Sequence, residues 1–204
     1  MADSEDARKH ASQVIAAGGV IAFRTDTFYG LGADPFNADA LNKLKALKGR
    51  DDGKPILVII SESGEADRFI AERSKLFETL TALHWPGALT IVSRARDEVP
   101  DELTAGTKTI GLRLPDDEAV RGLVRACGGA LTATSANPSG DAPARTAQQV
   151  SSYFPSGLDL IIDGGESVSD KPSTVLDVSG EKPRLIREGI ITREQLNESL
   201  NLER

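Results

Sequence analysis

The stretch Gly19-Val20-Ile21-Ala22-Phe23-Arg24-Thr25-Asp26-Thr27-Phe28-Tyr29-Gly30-Leu31-Gly32 changes character half-way along. Residues 20–24 (VIAFR) are a short apolar run behind a glycine pair, which is a strand pattern. Residues 25–32 (TDTFYGLG) are polar and punctuated by two glycines, which is a loop pattern. Together they read as a strand delivering hydroxyls and bare backbone to a strand end. In open α/β sheets the crevice outside the strand ends is where ligands settle. A plain glycine turn, with Phe28 and Tyr29 tucked into the core, fits this stretch equally well when it is taken alone.

The flanking sequence supplies the layers. Residues 4–17 read as an amphipathic helix, capped by Ser4 and stopped by Gly18-Gly19. Residues 38–48 place Leu41, Leu44 and Leu47 on one helical face, with Gly49 just past the end. Residues 56–60 (ILVII) read as a buried strand. Helical stretches near 64–72 and 74–84 end at His84-Trp85-Pro86-Gly87, before a strand at 89–92. Further strands are expected at 109–114, 130–134, 158–163, 174–178 and 184–187, with helices at 116–126 and 146–154. A last helix is capped by Thr192, with Glu194 and Gln195 in its first turn. Strands and helices alternate, but without a strict βαβ rhythm. The expectation is a single-domain α/β fold: a twisted, open, mixed sheet with helices on its faces. One domain is expected over residues 1–204, with its core at about 8–191, because no repeat, low-complexity tract or linker divides the chain.

Composition narrows the function classes. The chain has 204 residues, enough for one domain of ordinary size and for a core that needs no disulfide or metal. A single cysteine, Cys127, rules out an internal disulfide and a cysteine-based zinc cage. It reads as a small buried residue. The polar, acidic start MADSEDARKH resembles neither a signal peptide nor a transit peptide, and no apolar run nears the ~20 residues of a membrane span. A cytoplasmic, reducing location without membrane association is therefore expected. The net charge of −7 repels polyanions, so a bound phosphate group must be met by a local cluster of cations.

Such clusters exist. Lys48-Gly49-Arg50-Asp51-Asp52-Gly53-Lys54 holds three cations around a helix end. Lys48 alone fits a helix-dipole interaction, but Arg50 and Lys54 lie beyond the helix. A planar guanidinium and a mobile ammonium suit a triphosphate. No G-x-x-x-x-G-K-[ST] motif occurs, so a P-loop is excluded. Arg113, in a strand before Pro115, reads when taken alone as a sheet-edge or surface residue; its functional reading is a guanidinium that points into the crevice and binds a carboxylate bidentately. The loop Thr132-Ala133-Thr134-Ser135-Ala136-Asn137-Pro138-Ser139-Gly140 offers hydroxyls and an amide to a nucleotide. A Ser-His-Asp triad is disfavoured, because only His10 and His84 exist to serve it. Trp85 reads as a core anchor. Ser173-Thr174-Val175 and Arg187-Glu188-Gly189 add hydroxyls and another cation.

In this order the motifs become specific. Residues 25–32, Lys48-x-Arg50, Trp85-Pro86-Gly87 before Leu89-Thr90, Arg113-x-Pro115, Ser135-Ala136-Asn137, Ser173-Thr174-Val175 and Arg187-x-Gly189 together resemble the YrdC-like family of threonylcarbamoyl-AMP synthases. The match runs from about Gly19 to Gly189 and is to the short bacterial form. The resemblance implies that L-threonine, bicarbonate and ATP give threonylcarbamoyl-adenylate and pyrophosphate. A partner threonylcarbamoyltransferase complex then modifies tRNA, and weak tRNA binding by this chain is an expectation. It also implies a mostly open α/β sheet around a positively lined cavity.

Carried over by position, Thr27, Arg113, Ala133 and Ser173 are expected at L-threonine, and Arg50, Lys54, Thr109, Ser135, Asn137 and Arg187 at the nucleotide. Lys48 and Arg50 are expected to stabilise the reacting charges, with Mg²⁺ bridging phosphates and its protein ligands unknown. Asp26 and Asp163 are candidates to assist the metal, and each is equally well placed as a turn residue. Three positions depart from the family pattern. Ile59 stands where longer relatives carry a histidine that touches the amino acid. Arg24 replaces a proline, and Pro143 stands where relatives often offer a serine to the nucleotide. Two other readings of the same surface are a non-catalytic RNA-binding or ribosome-assembly factor and a carbamoyltransferase-type domain. The acidic balance weighs against the first, and the missing cysteine-rich modules against the second.

Overall fold

A computed structural model describes residues 1–49, 53–167 and 169–201. In chain order the elements are α1 (Glu5–Ala16), β1 (Ile21–Arg24), β2 (Tyr29–Gly32), α2 (Ala38–Lys48), β3 (Val58–Ile60), a 3-10 turn at Ser63–Arg68, α3 (Lys75–His84), β4 (Leu89–Arg94), α4 (Asp101–Thr104), β5 (Thr109–Arg113) and α5 (Glu118–Ala126). There follow β6 (Ala130–Thr132), β7 (Thr134–Ser135), α6 (Ala147–Tyr153), β8 (Leu160–Ile162), β9 (Thr174–Asp177), β10 (Arg184–Arg187) and α7 (Arg193–Asn201). Among the described residues no helix is long and apolar enough to cross a membrane.

Local chemistry sets most boundaries. Ser4 accepts from the Ala7 amide and starts α1; Asn37 does the same for α2 through Ala40. Gly49 ends α2 with φ of 55°, a left-handed conformation that glycine adopts without penalty. At α7, Thr192 and Gln195 exchange side-chain-to-amide bonds in a reciprocal cap.

The α/β class, the mixed pairing and the helices on the faces are as the sequence suggests, but the strands divide between two sheets. One has the order β7-β2-β1-β8 and the other β10-β9-β4-β5-β3-β6. The glycine-rich stretch read as a loop is the cause. Residues 29–32 form β2, antiparallel to β1, with Ile21 opposite Gly32 and Arg24 opposite Tyr29. Only residues 25–28 remain a turn, closed by the Thr25 amide and hydroxyl, both donating to the Phe28 carbonyl. The chain passes between sheets at Ala133. Its amide donates to Leu57 O beside the large sheet, while the next residue, Thr134, pairs with Leu31 in the small one.

Alternation along the large sheet creates the site. Val58, Ile60, Leu89, Ile91, Ile110, Leu112 and Leu176 point to one face and fill the main core. On the other face Ile59 and Leu131 join a second core with α1, α5, Ile21 and Phe23. Beyond that second core the same face carries Arg113 and Leu57, which border open space. Trp85 anchors as expected, edge-on to Phe77 and donating its indole N–H to Leu89 O at 2.8 Å. Cys127 is half-buried beyond α5, and burial pushes its thiol up to about 12, which leaves it inert.

Candidate active site

Where the strand ends of the two sheets meet, a cavity of about 670 Å³ opens. Its wall includes Thr25 and Thr27 from the β1–β2 turn, Lys48 from α2, Arg113 from β5, Ser135 from β7 and Asn137 just after it, Ser173 just before β9 and Arg187 from β10. The stretches singled out in the sequence thus each contribute residues to one space. Arg50 lies outside the described residues; Lys48 and Lys54 on either side of it both line the cavity.

Two guanidiniums dominate the electrostatics. Arg113 is 5% exposed and donates through Nη1 to Asp26 Oδ1 at 2.6 Å. Asp26 belongs to the turn, so the turn and the sheet are held together by an ion pair in a dry setting. Arg187 reaches the same space from the edge strand β10. Its Nε and Nη2 donate to Ser173 O at 3.1 and 3.0 Å, and Nη2 lies 3.2 Å from Ser173 Oγ. Arg187 is solvent-exposed as a whole residue, yet partial desolvation of its guanidinium, then the like charge of Arg113, lowers its pKa from the ordinary value. Both guanidinium-bearing residues line the one cavity.

Supporting bonds fix the walls. Thr27 and Thr25 hydroxyls lie 3.1 Å apart, and Ser173 Oγ is 2.9 Å from the fully buried Thr90 hydroxyl. Thr174 Oγ1 accepts from the Gly189 and Ile191 amides and donates to Ile191 O, stapling the segment that follows Arg187. Gly189 is required there: a Cβ would run into the Pro172 carbonyl. The Lys48 ammonium donates to Ser135 O and lies 3.5 Å from Ser135 Oγ, which charges the wall around that serine. Asn137 donates to Pro138 O and Asp141 O, shaping the loop that ends on Pro143. Tyr29 borders the cavity, but its ring is fully buried in the main core and its hydroxyl donates to Gly165 O at 2.8 Å. Burial and Asp163 push that phenol up to about 12, so it is a fixed donor and not a base.

A family profile described as Sua5/YciO/YrdC, telomere recombination, matches residues 13–189. The threonylcarbamoyl-AMP synthase of Thiobacillus denitrificans is 38% identical over 178 residues, 87% of this chain and 94% of that protein. That of Halorhodospira halophila is 35% identical over 169 residues, 83% of this chain and 88% of its own. The chain belongs to the Sua5/YciO/YrdC family of threonylcarbamoyl-AMP synthases. Among solved structures, Sua5 of Pyrococcus abyssi complexed with L-threonine superposes with a TM-score of 0.91 at 31% identity. The match covers 95% of this chain and 57% of the Sua5 chain.

Of the positions expected from the family pattern, Thr27, Lys48, Lys54, Arg113, Ala133, Ser135, Asn137, Ser173 and Arg187 all line the cavity. Thr109 does not. It begins β5, four residues before Arg113, and at about 3.3 Å per residue the strand carries it some 13 Å away. Its hydroxyl pairs with that of Thr107 at 2.9 Å. Ile59 points into the second core, so this departure removes a polar side chain from the core face and not from the described cavity wall. Pro143 does line the cavity. Arg24 reaches away to Asp117 at 2.7 Å. Neither carboxylate considered for a metal faces the cavity: Asp26 is held by Arg113, and Asp163 accepts from the Gly165 amide. Sequence reasoning missed Leu57, which the apolar run 56–60 disguises as core. Its signal is Gly111 on the neighbouring strand, which leaves room for it.

Proposed function

We propose that this cavity condenses L-threonine, bicarbonate and ATP into L-threonylcarbamoyl-AMP and pyrophosphate. The observation that carries this reading is the pair Arg113 and Arg187 on one cavity. The chemistry must bring an amino-acid-derived anion against a triphosphate. Two cations, each a planar fork, offset the repulsion that would otherwise keep them apart. Arg113, with Ser173 and Thr27 beside it, takes the amino-acid carboxylate; Arg187, Lys54, Ser135 and Asn137 take the nucleotide.

Threonine's neutral amine adds to the carbon of bicarbonate with loss of water, giving the carbamate. A carbamate oxygen then attacks the α-phosphorus, and pyrophosphate leaves with the electrons of the broken P–O bond. Positioning and charge stabilisation supply the acceleration. No protein base is invoked: the Tyr29 phenol stays protonated, and neither His84 nor Cys127 lines the cavity.

No cluster of three or more His, Cys, Asp or Glu suited to a metal occurs among the described residues. Mg²⁺ usually keeps several waters and is held by one or two carboxylates plus substrate phosphates. Asp170, on the cavity wall, fits that mode. When bound with ATP, Mg²⁺ would neutralise phosphate charge. The product is an activated acyl group, to be passed by a partner transferase complex to tRNA; a cytoplasmic location goes with that role.

The test is incubation with ATP, Mg²⁺, bicarbonate and L-threonine, followed by mass analysis of the nucleotides. A threonylcarbamoyl-AMP peak with matching pyrophosphate is expected, and omission of bicarbonate should suppress both. Equal adenylation without bicarbonate would make the protein a simple amino-acid-activating enzyme.

A further inference from the structure

An amino-acid site has to read a side chain as well as hold a carboxylate. Among the described residues lining the cavity, Leu57 is the one branched aliphatic. It is half-buried, just before β3, and its carbonyl accepts from the Ala133 amide at 2.8 Å. Its side chain leans across the neighbouring strand onto Gly111. A Cβ at Gly111 would collide with Leu57 Cδ2 and would also stand 3.4 Å from Thr90 Cγ2. Gly111 therefore keeps Leu57 low. Arg113 lies two residues further on the same face of β5, and Thr90 holds the Ser173 hydroxyl. Leu57 thus lines one cavity with the groups that the preceding reading assigns to the amino acid.

We propose that Leu57, seated over Gly111, is a specificity-determining residue that reads the γ-methyl group of the amino acid. The proposal rests on the assignment of Arg113 and Ser173 to the amino acid, and it explains which competitor the site can refuse. A methyl group missing from an apolar contact changes kcat/KM by roughly 10- to 200-fold, whereas an apolar wall hardly rejects an isostere that differs by a hydroxyl. Leu57 therefore separates threonine from serine. Separation from valine falls to hydroxyl partners such as the buried Thr27.

The experiment measures pyrophosphate release by the full chain with L-threonine and with L-serine, at saturating ATP and bicarbonate. Leu57→Ala should lower the threonine-to-serine ratio of kcat/KM by about tenfold or more. Leu57→Phe, which fills the same space, should lower threonine turnover by at least about tenfold and serine turnover less. The KM for ATP should stay within about twofold in both. A fraction of unfolded protein scales both amino acids equally, so the ratio survives a partly destabilised variant. An unchanged ratio in both variants overturns the role of Leu57. Wild-type protein that ignores L-threonine would overturn the assignment of the site itself, along with this proposal.

Discussion

The two arginines of the cavity are held in opposite ways. Arg113 ends a strand in the middle of the six-stranded sheet, is 5% exposed and is paired through Nη1 with Asp26. Arg187 ends β10 at the edge of that sheet, where the pairing with β9 shifts register between Leu185 and Arg187. Arg187 is exposed to the cavity mouth, and its described hydrogen bonds go to a carbonyl and a hydroxyl of Ser173. A central strand flanked on both sides cannot yield, which suits a short, stiff ligand whose carboxylate must land at one point. An edge strand can adjust, which suits a long anion that arrives with counter-ions. One cavity thus combines a rigid subsite and a compliant one by drawing on a central and an edge strand of the same sheet.

The severest challenge to that contrast is Arg113→Ala. It strands Asp26 in a setting where its side chain is 14% exposed, and breaking such a pair from one side costs about 3–5 kcal/mol. Chemical denaturation should show that loss, and the KM for L-threonine should rise by at least about 100-fold, a cost in line with losing a charged hydrogen-bonded contact. Arg113→Lys should restore little, because an ammonium cannot reproduce the fork. Stability equal to wild type would mean that the Asp26 pair is not what makes this subsite rigid.

Arg187→Ala should behave differently. As an exposed residue it should cost under about 1 kcal/mol of stability, while the KM for ATP rises by about tenfold, the effect of roughly 1.4 kcal/mol of lost contact. The KM for L-threonine should move less. If both KM values rise together, the two subsites are one, and the division between a fixed and an adjustable arginine fails.

Much of this arrangement is legible in the sequence because it depends on local patterns. The caps at Ser4 and Thr192, the stop at Gly49 and the order of the charged motifs are all short-range signals. What escaped depends on distant partners. Residues 29–32 carry two glycines and look like a loop, yet β1 and β7 on either side make them a strand. A Cβ on Gly32 would press on the Phe23 ring, so the glycine serves close packing and not flexibility. The split into two sheets hinges on Ala133, whose neighbours in space are Leu57 and, one residue on, Leu31. Nothing in the local sequence announces that switch. Thr109 is the converse case: a position carried over by pattern sits at the start of β5, at the other end of that strand from Arg113.

The mildest test concerns the backing of the compliant wall. After Arg187 the chain runs through Ile191, tied to the Thr174 hydroxyl, into α7, whose Leu196 and Leu200 pack on the main core. Ser199 on that helix donates to Gln195 O, so its oxygen accepts the Nε2 proton of His84 at 2.8 Å. Burial lowers the pKa of His84 from its ordinary 6.5. A depressed histidine means that the unfolded chain takes up the proton first. Its contribution is whole above pH 6.5, declines as pH falls from there to the folded-state pKa, and changes no further below it. Wild type and His84→Gln, which keeps a donor for Ser199, should therefore have melting temperatures that differ by a constant amount above pH 6.5 and converge or cross below it. Amide exchange at mildly acid pH should quicken in α7 before it quickens in β5. Acid that opened β5 first would reverse the assignment of the rigid and compliant sides.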